Sequence, residues 1–161
     1  MIVNKFRLLL LFAVIISSTC KKSSIDSTPA SEPSRWGRRA DLLEANSEMS
    51  VAELDGQIYV LGGYPSTRIS TTVVQVYDPA TDQWRRSAPL PVALNHTMSV
   101  SVNGVLYVIG GQTEAGGDGP FVNTVYAFDS NRGSWSTRTP MPTARAGGGA
   151  AVVNGRIYVA G

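Results

Sequence analysis

The sequence has 161 residues, of which 43% are hydrophobic and 16% are charged. This balance excludes a chain that is disordered throughout and a chain that is embedded in a membrane along its length. The formal net charge of +2 comes from Lys5 and Arg7, so residues 20–161 carry equal numbers of basic and acidic side chains. Since a nucleic-acid-binding protein needs a basic surplus on one face, the composition also argues against that function.

The first twenty residues have the pattern of a secretory signal. Lys5 and Arg7 precede an unbroken apolar run over residues 8–16, and small or polar residues lead from there to Cys20. A nine-residue apolar run is too short to cross a bilayer, which takes about 20 residues. We therefore predict a signal peptide over residues 1–19 with cleavage near Cys20. The mature protein would be exported and would be periplasmic, anchored to the outer membrane or extracellular.

Cys20 is the single cysteine of the sequence, so no disulfide can form within the chain. The segment around it resembles a bacterial lipoprotein signal, in which this cysteine is lipidated and becomes the first mature residue. Ser17 and Thr19 depart from that pattern, which prefers Leu three residues before the cysteine and Gly, Ala or Ser directly before it. Lipidation of Cys20 and ordinary secretion therefore remain alternatives. A lipid at Cys20 is the only membrane attachment that we predict.

Residues 20–34 are predicted to be a flexible tether. The segment is rich in serine and proline, and Ile25 is its one large apolar residue. Such a composition cannot bury enough apolar surface to offset the entropy lost on ordering.

A repeat begins after the tether. The segment 56–63 (GQIYVLGG) returns at 104–111 (GVLYVIGG) and again at 155–161 (GRIYVAG). The tyrosines of the three copies lie 48 and 51 residues apart, and so do Trp36, Trp84 and Trp135. This regular spacing predicts one structural unit per copy, with the three extra residues in a loop.

Each copy predicts four short strands. An Asp-Gly or Asn-Gly pair at residues 55–56, 103–104 and 154–155 favours a type I′ hairpin turn between the first and second strands. The second strands are apolar throughout, which is typical of sheets that are covered on both faces. Third strands are expected near residues 72–77 and 123–128, and fourth strands are expected around Trp84 and Trp135.

A period near 50 residues with Gly-Gly, Tyr-Asp and a later Trp resembles the kelch repeat, which builds one propeller blade per copy. The resemblance implies an all-β fold, namely a kelch-type β-propeller fragment of about two and a half four-stranded antiparallel blades. The predicted propeller spans residues 35–161, with blades at 47–87 and 96–139 and a half blade at 147–161. Residues 35–40 form a candidate ring-closing strand. Because propellers have four to eight blades, we expect the sequence to be a truncated part of a longer propeller.

The predicted strand order gathers the longer connections on one face of the propeller, and function tends to reside on such loops. The candidate ligand-binding residues lie in these loops, and Tyr64 and Phe121 are candidate stacking groups. The six candidates are Arg68, Asn95, His96, Glu114, Asp118 and Arg145.

The fold favours a binding or scaffold module over an enzyme, with a protein or a glycan as the partner. The first alternative is a carbohydrate-active enzyme, because exported kelch propellers include sialic-acid (N-acetylneuraminate) epimerases. Its acid–base candidates would be His96, Arg145 and Glu114. The second alternative is a galactose-oxidase-like copper enzyme whose site would lie outside this sequence, because the sequence has one histidine. We predict no cofactor, no metal site and no catalytic residue within these 161 residues.

Overall fold

The computed structural model describes residues 36–114 and 119–161. The predicted signal peptide, Cys20 and the whole of the predicted tether therefore lie outside the described residues. Arg38–Gly161 form one compact unit. Residues 36–42 have no regular secondary structure.

Within the described residues, ten short strands form two four-stranded antiparallel sheets and one hairpin. Blade 1 has the order β1-β2-β3-β4, blade 2 has the order β5-β6-β7-β8, and β9 pairs with β10 in the third hairpin. This arrangement confirms the predicted all-β architecture. The described part of the chain holds no helix that could span a membrane. The strands are β1 Ser50–Leu54, β2 Gln57–Leu61, β3 Val74–Asp78, β4 Gln83–Arg86, β5 Met98–Val102, β6 Val105–Ile109, β7 Val125–Asp129, β8 Ser134–Arg138, β9 Gly149–Val153 and β10 Arg156–Ala160.

The tight turns between first and second strands have the predicted geometry. Asp55 and Gly56 have φ angles of 53° and 78°, and the two later Asn-Gly pairs have similar positive values. A type I′ turn requires positive φ at both central residues, and its twist matches that of the flanking strands. The turn sets the register, so that Leu54 faces Gln57 in blade 1 and Val102 faces Val105 in blade 2.

The third strands begin two residues later than predicted. β3 begins at Val74 and β7 begins at Val125, although the apolar pattern suggested starts at residues 72 and 123. Thr72 and Asn123 use their carbonyl groups to accept hydrogen bonds from Leu90 and Met141, in the links that leave each blade. These residues therefore connect neighbouring segments of the chain and do not extend the sheet.

The main hydrophobic core lies between the blades. One cluster joins β2 and β3 of blade 1 to β6 and β7 of blade 2, and within it Leu61 and Leu106 are fully buried. The rings of Tyr59 and Phe128 meet across this interface with centroids 5.8 Å apart. A smaller cluster around Met98 and Ile109 joins blade 2 to the third hairpin. Each blade thus buries its apolar surface against its neighbour, as expected of a repeat protein.

The glycine pair after each second strand receives the link that enters the next blade. The backbone N–H of Gly63 donates to the carbonyl of Leu94 at 2.8 Å, and that of Gly111 donates to the carbonyl of Arg145 at 2.8 Å. A Cβ on Gly110 would collide with the carbonyl oxygen of Arg145. The close approach of the link requires glycine at this position.

Residues 38–44 form a strap along the outer strands of blade 1. The indole N–H of Trp84 donates to the carbonyl of Ala40 at 2.9 Å. In blade 2 the indole of Trp135 donates in the same way to the carbonyl of Ala88, which lies in the link that leaves blade 1. The strap therefore accepts a hydrogen bond from the outer-strand tryptophan of blade 1, just as that link accepts one from the outer-strand tryptophan of blade 2. The ring-closing role of residues 35–40 stays a prediction.

A polar contact fixes the start of the strap. The carboxylate of Asp82 accepts hydrogen bonds from the backbone N–H of Ala40 at 3.0 Å and from the Tyr77 hydroxyl at 2.6 Å. The bond from Ala40, followed by the bond from Tyr77, lowers the pKa of the Asp82 carboxyl. The same carboxylate raises the pKa of Tyr77, chiefly through its hydrogen bond.

Candidate binding face

The antiparallel strand order places all long connections on one face, which we call the upper face. It carries the β2–β3 loop (residues 62–73), the β6–β7 loop (residues 110–124) and the segments that enter β1, β5 and β9. The opposite, lower face carries the tight turns after the first and third strands. A rigid scaffold with variable loops on one side is a common arrangement for binding.

Three equivalent residues lie where the first strands begin on the upper face. Glu48, His96 and Gly147 all have left-handed backbone conformations, with φ angles of 53°, 50° and 66°. The backbone N–H of His96 donates to the carbonyl of Glu48, and that of Gly147 donates to the carbonyl of His96, both at 2.8 Å. These two bonds connect the starts of the first strands of blade 1, blade 2 and the third hairpin in series.

The imidazole of His96 connects the two blades a second time. Its Nε2 lies 3.1 Å from Oε2 of Glu48, and its Nδ1 lies 2.5 Å from Oδ1 of Asn95. The ring of Tyr64, which follows β2, lies beside it with a centroid distance of 6.2 Å. Both ring nitrogens of His96 therefore already have partners. This leaves His96 poorly placed as a free acid or base.

Asn95 lies beneath the loops and is 0% exposed. Its Nδ2 donates to Oγ of Ser70 in the β2–β3 loop at 2.7 Å and to the carbonyl of Glu114 in the β6–β7 loop at 2.9 Å. The sequence predicted that Asn95 contacts a ligand. The structure places its side chain where it holds two loops together, and a buried amide is stable when its donors and acceptors are engaged. A ligand contact at Asn95 stays a prediction.

Arg68 lies at the edge of an upper-face pocket of about 410 Å³. The backbone N–H of Arg68 donates to the carbonyl of Pro65 in a tight turn, and its φ angle is 58°. Its exposed side chain lines the pocket together with Glu48 and Tyr64. Arg68 is thus a candidate residue that lines a pocket and whose exposed side chain a ligand could reach.

Arg145 has a partner within the scaffold. Its guanidinium donates to the carbonyl of Gly161, at the position in the third copy that corresponds to Gly62. In blade 1 the equivalent residue, Asn46, donates to the carbonyl of Gly62 at 2.6 Å. This shared contact gives Arg145 a structural role at the end of a second strand.

The remaining candidates lie on the β6–β7 loop. Glu114 is exposed, and its backbone carbonyl is the acceptor for Asn95. Asp118 lies outside the described residues. Phe121, proposed as a stacking group, is 54% exposed, whereas Tyr64 is buried beside His96. The structure therefore brings Asn95, His96 and Glu114 together and places Arg68 and Arg145 elsewhere on the same face.

Sequence reasoning missed two residues of this polar cluster. Glu48 occupies in the first copy of the repeat the position that His96 occupies in the second, and this equivalence is the signal that could have identified it as a partner. Ser70 carried no comparable signal. Within residues 36–114 and 119–161 no group of three or more His, Cys, Asp or Glu side chains is placed to hold a metal ion. The epimerase-like and copper-enzyme alternatives stay predictions.

Comparisons with known proteins agree with this architecture. The family model for the Kelch motif matches residues 45–91 and 98–142. Beta-scruin from Limulus polyphemus is 33% identical over 130 residues, which are 79% of this chain and 14% of that protein. Kelch repeat and BTB domain-containing protein 12 from Homo sapiens is 33% identical over 120 residues, which are 70% of this chain and 19% of that protein.

The solved structure of YjhT shares the fold. It superposes with a TM-score of 0.62 at 24% sequence identity, over 75% of this chain and 35% of that chain. The chain thus spans about a third of that structure and less than a fifth of the two relatives named above. With Kelch motifs matched over more than half of its residues, the chain belongs to the kelch-repeat family.

Proposed function

We propose that this chain contributes to a kelch propeller that binds a protein partner through the loops of its upper face. The observation that carries the proposal is the placement of exposed apolar side chains. Ile69 is 66% exposed and Phe121 is 54% exposed, and both lie on upper-face loops, as does the exposed Val92. Among the described residues, the tight turns of the lower face in blades 1 and 2 carry no large exposed apolar side chain, whereas Val153 is 52% exposed beside the turn of the third hairpin.

This pattern matches the chemistry of protein interfaces. Such interfaces combine apolar anchors with a polar rim, and they are enriched in aromatic residues and arginine. Phe121 and Ile69 would serve as anchors, while Arg68 and Glu114 would contribute to the rim. Asn95 connects the two loops that carry these residues, so the anchors are displayed on a braced surface.

Site-directed crosslinking in cells that make the protein tests the choice of face. A photoreactive amino acid replaces Ile69 or Phe121 on the upper face, and Thr81 or Asn131 on the lower face serves as the matched control position. We expect discrete crosslinked adducts from the upper positions only. Adducts from the lower positions alone, or from both faces equally, would contradict the proposal.

A glycan remains the alternative partner. A glycan array probed with the full-length protein, and with its Phe121→Ser variant, separates the two. Selective glycan binding by the wild-type protein that is lost in Phe121→Ser would show that the partner is a carbohydrate and not a protein. The absence of selective glycan binding, together with protein adducts from position 121, would support a protein partner.

We also propose that the protein is exported, with Cys20 as the site of lipid attachment. The support is the order of a basic head, a short apolar run and a cysteine in residues 1–20. Mass spectrometry of the mature N-terminus and membrane fractionation test this proposal. We expect a lipid-modified Cys20 at the N-terminus, and release from the membrane fraction in a Cys20→Ala variant. An unmodified N-terminus in the soluble fraction would show ordinary secretion instead.

A further inference from the structure

We propose that Glu48, Asn95 and His96 form a proton-dependent clasp that holds the upper-face loops of blades 1 and 2 together. The clasp would make the contact between the segments that enter β1 and β5 on the binding face depend on pH, and this contact would be strongest when His96 is protonated. This inference concerns the regulation of the proposed binding face and therefore rests on the proposed function.

The orientation of the Asn95 amide is the first step of the argument. Its Nδ2 lies 2.9 Å from the carbonyl oxygen of Glu114 and 2.7 Å from Oγ of Ser70. A carbonyl oxygen can only accept, so the NH₂ group and not the amide oxygen must face Glu114. The amide oxygen of Asn95 then faces Nδ1 of His96, and this nitrogen must carry a proton.

The second step concerns the other ring nitrogen. Nε2 of His96 lies 3.1 Å from Oε2 of Glu48. One proton between these atoms makes a hydrogen bond, whether it resides on the imidazole or on the carboxyl group. When that proton leaves to solvent, a carboxylate faces the lone pair of the imidazole and the contact becomes repulsive. Histidine is the side chain whose charge is most sensitive to pH near neutrality, so a contact that needs this proton depends on pH.

Among residues 36–114 and 119–161, few other charged groups face the imidazole. Tyr64 lies beside it from the end of β2, and the segment that enters β9 presents Gly147, which has no side chain. The β6–β7 loop contributes the backbone carbonyl of Glu114 through Asn95. The guanidinium of Arg145 bonds to Gly161, and Arg68 lines the pocket next to Glu48. Glu48 is therefore the charged group in direct contact with His96.

The backbone conformation at Glu48 and His96 favours glycine, which indicates that the two side chains have a role. Glu48 and His96 both have left-handed φ angles, whereas the third copy has glycine at the same position. A residue with a side chain is less stable than glycine in this conformation. Two of the three copies have a side chain at this position, and these side chains, Glu48 and His96, contact each other across the blades.

The tautomer of His96 provides a direct test. Nitrogen-15 NMR of the full-length protein, with the resonance of His96 identified by its loss in His96→Gln, follows both ring nitrogens from acid to alkaline pH. We expect two protonated nitrogens in acid and a proton retained on Nδ1 alone at high pH. A neutral ring protonated on Nε2 would overturn the clasp, because Asn95 could not then accept from Nδ1.

The Glu48→Gln variant tests the dependence on pH. Its amide can accept from Nε2 when the ring is charged and donate to Nε2 when the ring is neutral, so its contact survives loss of the proton. In the wild-type protein we expect hydrogen-exchange protection of the His96 and Gly147 amides to fall by about fivefold or more between pH 5.5 and pH 8. In Glu48→Gln the fall should be less than about twofold. An equal fall in both proteins would overturn the proposal.

The two proposals fail in different ways. If crosslinking finds no partner on the upper face while both clasp measurements succeed, the clasp stands as a structural device and the binding function fails. If the upper face binds its partner while either clasp measurement gives the contrary result, the clasp fails and the binding function stands.

Discussion

Replacing Leu106 with alanine tests whether neighbouring blades share one core. The side chain is 0% exposed and belongs to the cluster that joins blades 1 and 2. The substitution removes three carbon atoms, each of which contributes about 0.8 kcal/mol when buried. The cavity that remains adds a further cost, so we expect a loss of about 3–4 kcal/mol in the free energy of unfolding.

Urea unfolding of the full-length protein, followed by tryptophan fluorescence, measures this loss. Trp84 and Trp135 lie in the outer strands of blades 1 and 2 and report on both. Leu43→Ala is the matched control because Leu43 is 51% exposed, and its cost should stay below about 0.5 kcal/mol. A loss below about 1 kcal/mol for Leu106→Ala would refute the reasoning, since the interface would then tolerate a cavity that a packed core does not.

Two further predictions concern the links between segments. Gly110→Ala should lower the unfolding free energy by about 2 kcal/mol or more, because φ at this residue is 60° and the new Cβ would collide with the carbonyl of Arg145. Gly37→Ala is the control, because a Cβ at Gly37 would lie in open space. Equal urea midpoints for the two variants would contradict this prediction. The lowered pKa of Asp82 contributes stability above the pKa of the unfolded chain that is lost as the pH falls through the folded value. Melting temperatures of the wild-type protein should therefore fall more steeply than those of Asp82→Asn between about pH 5 and pH 2, and parallel curves would show that this carboxylate does not stabilise the strap.

Local sequence signals were sufficient for the strands and their turns. The Asp55-Gly56 pair predicted a type I′ turn because few residues other than Gly, Asn and Asp accept positive φ readily, and the structure has that turn. The regular spacing of Trp84 and Trp135 placed both in fourth strands. The starts of the third strands were wrong by two residues because Thr72 and Asn123 bond to links far along the chain.

The candidate site was harder to predict because its contacts are between blades. Asn95 was expected to face a ligand, yet its amide is buried and bonds to Ser70, 25 residues away. Arg145 is also a predicted ligand contact, and the structure shows that its guanidinium bonds to the backbone at Gly161. A polar side chain at the start of a strand looks the same in sequence whether it points to solvent or into the neighbouring blade.

The amino-acid sequence by itself determined the repeat unit, its hairpins and the face on which the long loops gather, since turn chemistry and strand alternation act over a few residues. Only the tertiary structure decided which polar side chains meet. Glu48 and His96 are 48 residues apart in the chain and come within hydrogen-bonding distance because packing of blade 1 on blade 2 aligns their first strands.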